Sequence, residues 1–248
     1  MKLDQAAIPY LMGEKFSNKL LVPYDFHDVI PNRVSFVCSL AKGKKIIHLG
    51  CLDHLPLIDS KIASGQWLHK ELTACAAKCV GIDIDTEVAE YVRSSHGFDN
   101  IILGDFTTVR IPEIMSEKWD FAVLGELLEH IDNPVDYLCA IQKNYAGVID
   151  RIIITVPNAW TQTTMKMANR SSEVINSDHR YWFTPYTLAK VIVRAGMEVD
   201  EVYFANRVPL SFLGLVKNKI FKILGLKMKF NYTYASSLVA VARLIPGA

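Results

Sequence analysis

Lys118-Trp119-Asp120-Phe121-Ala122-Val123-Leu124-Gly125-Glu126-Leu127-Leu128-Glu129-His130-Ile131-Asp132-Asn133-Pro134 is the stretch whose reading decides the fold. Phe121 to Leu124 is a short apolar run bounded by charge and glycine, the pattern of a strand buried on both faces. Glu126, Glu129 and His130 follow at spacings that a helical turn would gather on one side. Asn133-Pro134 then restarts a helix, with Asn as cap and Pro in the first turn. A buried strand thus ends in two carboxylates and an imidazole. In an open α/β sheet, ligands bind at that end of the strands.

Other strands lie outward from this one. Lys45 to Gly50 reads as the first buried strand and Cys79 to Ile84 as the second, with a helix over roughly Gln66 to Ala77 between them. Thr86 is expected to cap the next helix. Asn100 to Leu103, Trp119 to Leu124 and Arg151 to Val156 are strands three to five. A helix over Pro185 to Ala195, stopped by Gly196, leads to strand six at Met197 to Phe204, and Ser236 to Leu244 is the last strand. Strands alternating with helices at this spacing imply an α/β fold with a parallel sheet wound by right-handed crossovers. Residues 1–44 carry Pro9, Pro23 and Pro31 among scattered aromatics and read as an N-terminal helical cap. It either covers the site or serves as a packing arm.

The chain has 248 residues, half of them hydrophobic, and a net charge of +1. One larger α/β domain over 45–248 is the expectation, and the charge argues against general nucleic-acid binding. The charge is unevenly spread: beyond Glu201 there is no acidic residue, while Arg207, Lys217, Lys219, Lys222, Lys227, Lys229 and Arg243 are basic. Residues 209–230 read as a basic, amphipathic helical insertion. It would lie on anionic lipid, cover an apolar substrate, or dock on the domain with its lysines in water. The five cysteines form no C-x-x-C pair, and Cys75 and Cys79, one helical turn apart, read as core packing. With no signal-peptide pattern and no bilayer-spanning run, the expectation is a cytoplasmic protein, with peripheral membrane contact through 209–230 left open.

The strand ending in Glu126-x-x-Glu129-His130, followed by Ile131-Asp132-Asn133-Pro134, resembles the fourth-strand region of class I S-adenosylmethionine (SAM) dependent methyltransferases. The resemblance runs from about Lys45 to Leu244. It implies a Rossmann-like seven-stranded, mostly parallel sheet of order 3-2-1-4-5-7-6 with helices on both faces. It also implies a cofactor site. Asp83, ending strand two, would accept the ribose hydroxyls, as a carboxylate can accept two at once. Asp105 would accept the adenine amino group, with Phe106 against the ring. The alternative is that both acids are ordinary turn formers. After strand one the family has an acid and Gly-x-Gly-x-Gly. Here the segment is His48-Leu49-Gly50-Cys51-Leu52-Asp53-His54: only Gly50 remains, His48 replaces the acid, and Asp53 is the remaining acid for the ammonium group. A dehydrogenase would need Gly-x-Gly-x-x-Gly at this place, and it is absent.

Asp178-His179-Arg180 downstream, taken with the Glu126 cluster, is similar to ubiquinone-biosynthesis O-methyltransferases and to small-RNA 2′-O-methyltransferases. By that resemblance Glu126, Glu129, His130 and His179 would hold a divalent cation, Mg²⁺ or Mn²⁺. Without the metal, His179 or His130 would be the general base. The implied activity is methylation of a hydroxyl on a small-molecule or glycan acceptor. The alternatives are RNA 2′-O-methylation, disfavoured by the mildly acidic body, and a non-catalytic protein that keeps the fold.

Overall fold

The computed structural model of the chain describes residues 5–24, 28–108, 110–208, 212–224 and 232–247. Its strands are β1 (Lys45–Leu49), β2 (Lys78–Asp83), β3 (Ile101–Leu103), β4 (Trp119–Gly125), β5 (Ile149–Pro157), β6 (Glu198–Arg207) and β7 (Ala235–Arg243). They form a seven-stranded sheet in the order β3-β2-β1-β4-β5-β7-β6. β1 to β5 pair in parallel, and β7 runs antiparallel between β5 and β6. This is the Rossmann-like class and order expected from the sequence.

The helices are α1 (Ile8–Met12), α2 (Arg33–Ala41), α3 (Leu55–Ala63), α4 (Leu68–Cys75), α5 (Thr86–His96), α6 (Pro112–Met115), α7 (Pro134–Tyr145), α8 (Gln162–Ala168), α9 (Pro185–Arg194) and α10 (Phe212–Ile223). The period-two alternation of strand side chains divides the core in two. Ile47, Leu49, Ala122, Leu124, Ile152 and Ile154 pack with Leu138, Ile141 and Tyr145 of α7 and with Leu188 and Ile192 of α9. Ile46, Phe121, Val123 and Ile153 point the other way, onto Val37 and Ala41 of α2 and Leu68 and Leu72 of α4. Both faces of the central strands are therefore dry, which is why β4 and β5 read as continuous apolar runs.

Several local expectations change. The single helix over Gln66–Ala77 is α4 alone, preceded by α3, which starts at Leu55-Pro56. A proline in the first turn is compatible with a helix, since the N–H it lacks would have no partner there. Cys75 closes α4 while Cys79 lies in β2, so the two cysteines do not share a helix. Asp85, not Thr86, caps α5, its carboxylate accepting from the Val88 N–H at 3.0 Å. Asn133 caps α7 as expected.

The segment before β1 is tied down at two places. Ile30 N–H donates to Phe204 O at 2.9 Å on the free side of β6, and Arg207 N–H donates to Pro31 O at 3.0 Å. On α9, Arg194 donates to Met12 O at 3.0 Å and Lys190 to Tyr10 O. Asn32 caps α2 through the Ser35 N–H at 2.8 Å, which fixes Arg33 in the helix's first turn. Of the basic insertion, Phe212–Ile223 is helical; residues 209–211 and 225–230 lie outside the described residues.

Candidate functional site: a cleft at the carboxyl edge of the sheet

The parallel strands β1, β2 and β4 end along one side of a cleft of about 600 Å³. Its walls include Gly50, Asp53 and His54 after β1, Asp83 and Asp85 after β2, and Glu126, Leu127 and His130 after β4. Arg33 comes from α2, and Asn176 and His179 from the segment before α9. Chain crossovers on opposite faces of the sheet leave such a crevice beside β1.

At one end, the Asp83 carboxylate organises the backbone. One oxygen accepts from Leu52 N–H at 2.9 Å, and the other from Ile84 and Asp85 N–H at 2.8 and 3.1 Å. The loop after β1 is thereby pinned to the end of β2. Gly50 sits at φ +62°, and a Cβ there would lie 2.8 Å from Leu127 Cδ1, so only glycine suits this turn. A Cβ on Gly125 would meet Leu68 at 2.5 Å. Asp53 is not a free acid: it is ion-paired with Lys61 and accepts from His54 N–H at 2.9 Å. Asp105 is exposed and turned onto Thr107, whose N–H and hydroxyl it accepts at 2.8 and 2.6 Å; those bonds hold its pKa down. It is not among the cleft's lining residues.

Phe106 is a correction. Its ring is 3 % exposed and stacks face to face on Tyr145 at 3.9 Å, so it belongs to the hydrophobic core and offers no free face to an adenine. Tyr137, on α7, is the side chain whose hydroxyl senses both acids. Burial first, then the charges of Asp105 and Asp83, drive its pKa well above the ordinary phenol value.

His48, the last residue but one of β1, stands where the resemblance would have an acid. It is buried, and its Nδ1 lies 3.4 Å from Nδ1 of His69 on α4, with the rings stacked. Burial pushes both imidazoles toward the neutral form, His69 to about 4. One hydrogen shared between two facing Nδ1 atoms leaves His48 Nε2 as acceptor in one tautomer and donor in the other. That Nε2 has no hydrogen-bond partner among the described residues, and His48 lines the cleft. Sequence reading marked His48 only as a departure; His69, 21 residues away, gave no signal.

At the opposite end His130 and His179 line the cleft, with Glu129 buried behind them; the ligand-capable atoms of the three lie within 4.8 Å of one another. Glu129 is fully buried, and among the described residues neither of its carboxylate oxygens has a hydrogen-bond partner. Its nearest cation candidate is His179, with Nε2 3.9 Å from Oε1. Burial, then the neighbouring Glu126 charge, raises the Glu129 pKa to about 9. The His130 and His179 rings meet edge to face at 4.7 Å, and burial lowers the pKa of each. His179 is held by its neighbour, since Arg180 N–H donates to Glu129 O at 2.8 Å and the Arg180 side chain pairs with Asp132 and with His130 O.

Glu126 stands apart from this group. It is the first residue past β4 and adopts φ +57°, while only Leu128–His130 form a 3-10 turn. The expected single helical turn carrying all three side chains is therefore broken. Glu126 N–H is held by Thr155 O and Oγ1, both at 3.0 Å. Its Oε1 lies 3.6 Å from Arg33 Nε, and Arg33 also donates to Thr155 Oγ1 at 2.9 Å. Arg33, 93 positions upstream, was invisible to motif reading.

A sheet of this order, with acids and imidazoles set along one carboxyl edge, defines a Rossmann-like enzyme of the SAM-dependent methyltransferase class. Residues 34–202 match the family model of the methyltransferase domain, and the chain belongs to that family. Two curated relatives are similar over about half the chain. A ubiquinone biosynthesis O-methyltransferase of Burkholderia multivorans is 27% identical over 46% of this chain and 46% of its own length. Its counterpart from Hahella chejuensis is 25% identical over 47% and 46%. The chain thus spans about half the length of the curated relatives it matches. Among solved structures, small RNA methyltransferase HEN1 superposes with a TM-score of 0.51 at 14% identity, covering 93% of this chain and 28% of that one, a likeness of fold.

Proposed function

We propose that this chain transfers a methyl group from SAM to a hydroxyl of a small-molecule or glycan acceptor, by direct in-line displacement without a covalent enzyme intermediate. The observation that carries the reading is the orphaned Glu129 carboxylate beside His130 and His179, two imidazoles that line the same cleft as Asp83. SAM supplies a methyl group on a sulfonium that leaves readily. The enzyme's task is then to align the acceptor oxygen and remove its proton. His179 and His130, kept neutral by burial, are the groups at the cleft able to take that proton as the oxygen accepts the methyl. Asp83 and the backbone it pins form the adenosyl end, and His48 Nε2 offers an acceptor for the ammonium group in place of the missing acid. The O-methyltransferase names of the curated relatives support a hydroxyl acceptor.

The residues also fit a divalent cation. A buried carboxylate without a donor is costly unless a cation or proton reaches it, and Glu129 has two imidazoles within ligand distance. Glu129, His130 and His179 would hold the ion, with Glu126 adding charge from beside Arg33. An ion there would lower the acceptor hydroxyl's pKa.

Calorimetric titration with SAM and its demethylated product, with and without Mn²⁺, tests the reading. Binding of both nucleosides is expected, tightened by Mn²⁺. Absence of binding under either condition removes the enzymatic proposal.

A further inference from the structure

We infer that α10 is a docking surface for an anionic lipid bilayer, placed at the edge of the sheet that carries the cleft. A helix on a globular domain normally turns its apolar stripe inward. α10 keeps Phe221 half-buried but turns most of its other described apolar side chains outward. Val216, Ile220 and Ile223, with Leu224 just past the helix, recur at i, i+4, i+7 and i+8 and so share one face. They are 42, 50, 75 and 64 % exposed. Lys219, one turn beyond Val216, is exposed with them. Scattered exposed apolar residues are ordinary on proteins, but four on one helix face are a patch that calls for a partner.

The charge identifies the partner. Between Arg207 and the start of β7 the sequence carries Lys217, Lys219, Lys222, Lys227 and Lys229 and no Asp or Glu, and α10 has no acid in its first turn. An apolar stripe beside lysines, with no acid to repel lipid phosphates, is complementary to an anionic bilayer surface. A second copy of this chain would have to bury the same positive charge against itself, which disfavours self-association.

Topology sets the location. β5 and β6 both run antiparallel to β7, so β6 ends on the same edge as β5, β4 and β1. The insertion leaves the sheet at Arg207, which pairs with Ala235, beside the Pro157–Ser237 pair that ends β5. Two residues past β5 tie its end to the carboxyl edge of the sheet. Asn158 Nδ2 donates to Tyr232 O at 3.1 Å and to Ala235 O at 2.9 Å, and Trp160 meets Tyr232 edge to face at 5.4 Å. Docking through α10 therefore brings the carboxyl edge of the sheet toward the bilayer, where an amphiphilic acceptor would reside.

Flotation of the full chain with vesicles tests this. One set is pure phosphatidylcholine and the other contains about one third phosphatidylglycerol. The wild-type chain is expected to float with the anionic vesicles only, and to be released as salt is raised. The double variant Ile220→Asp, Ile223→Asp should stay at the bottom of the gradient. Lys219→Glu should lower partitioning about thirtyfold, as one cation is lost and one anion gained near the surface. Both variants replace exposed side chains, and unchanged circular dichroism confirms that the fold is retained. The inference is overturned if the wild type fails to float at low salt, if it floats equally with neutral vesicles, or if the double variant floats undiminished. A concentration-dependent dimer seen by light scattering without vesicle binding, and abolished by the double variant, would assign the face to self-association instead. Vesicle binding is read independently of methyl transfer, so its failure leaves the proposed activity standing.

Discussion

At the scale of single residues, Glu129 is the group with most at stake. Its pKa of about 9 lies above the ordinary 4.5, so on raising the pH the unfolded chain loses the proton first. The Glu129 contribution to stability is therefore full below pH 4.5 and declines as pH climbs toward 9. Glu129→Gln removes this ionisation. In metal-free buffer at pH 8 it should raise the unfolding free energy by a few kcal/mol, on the order of that linkage, with the gain vanishing near pH 4.5. Thermal melts at the two pH values read this directly. Mn²⁺ should stabilise the wild type and leave Glu129→Gln unmoved; equal stabilisation of both would remove Glu129 from any ion site. His179→Ala should cut turnover about a hundredfold or more, whether or not an ion is present, because its imidazole is both a ligand candidate and a base. Full activity in that variant would place the chemistry elsewhere in the cleft.

At the scale of elements, the turn after β1 and the turn after β4 act as one unit. Leu127, from the other turn, lies where a Cβ on Gly50 would be, and Gly50 itself adopts φ +62°, so each turn's conformation depends on the other. Gly50→Ala should destabilise the fold by about 1–3 kcal/mol, combining left-handed strain and overpacking. It should also weaken nucleoside binding more than this loss of stability alone explains. A urea titration paired with calorimetry separates the two effects, and an unaltered midpoint would show that the turn relaxes freely. These same elements show what could be read in advance. β1, β2, β4 and β5 stood out because both their faces are buried, and Asn133-Pro134 carried a cap that local chemistry dictates. Two features were hidden. α3 begins with a proline that resembles a loop signal, and Glu126 breaks the helical spacing by adopting positive φ while its N–H bonds to β5.

At the scale of the whole molecule, the buried imidazoles set the acid limit of stability. His48 and His69 both have pKa values depressed by burial, below the ordinary 6.5. Groups of this kind contribute stability above pH 6.5 that is lost as pH falls toward the folded pKa, about 4 for His69. Two of them together give a slope of up to about 2.7 kcal/mol per pH unit, opposed by Glu129 at about half that rate. Unfolding free energy measured by urea should therefore fall between pH 6.5 and 5, and less steeply in His69→Phe. A flat profile over that window would mean that the pair is hydrated and already charged. Because these groups sit under the cleft, acid should loosen the cofactor end before the core formed with α7 and α9 gives way.

By itself the sequence determined the run of seven strands along the chain, the acids that end β2 and follow β3, and the Glu-x-x-Glu-His signature after β4. Each depends on periodicity or turn chemistry within a few residues, and such interactions are written in the local order of the chain. Tertiary structure alone decided the rest. It put Phe106 against Tyr145, turned Asp53 onto Lys61, brought Arg33 to Glu126, and set His69 beside His48. It also buried Glu129 without a donor and exposed the apolar stripe of α10. These outcomes depend on which segments, distant in sequence, share a boundary and exclude water there, and desolvation is a property of that packed boundary.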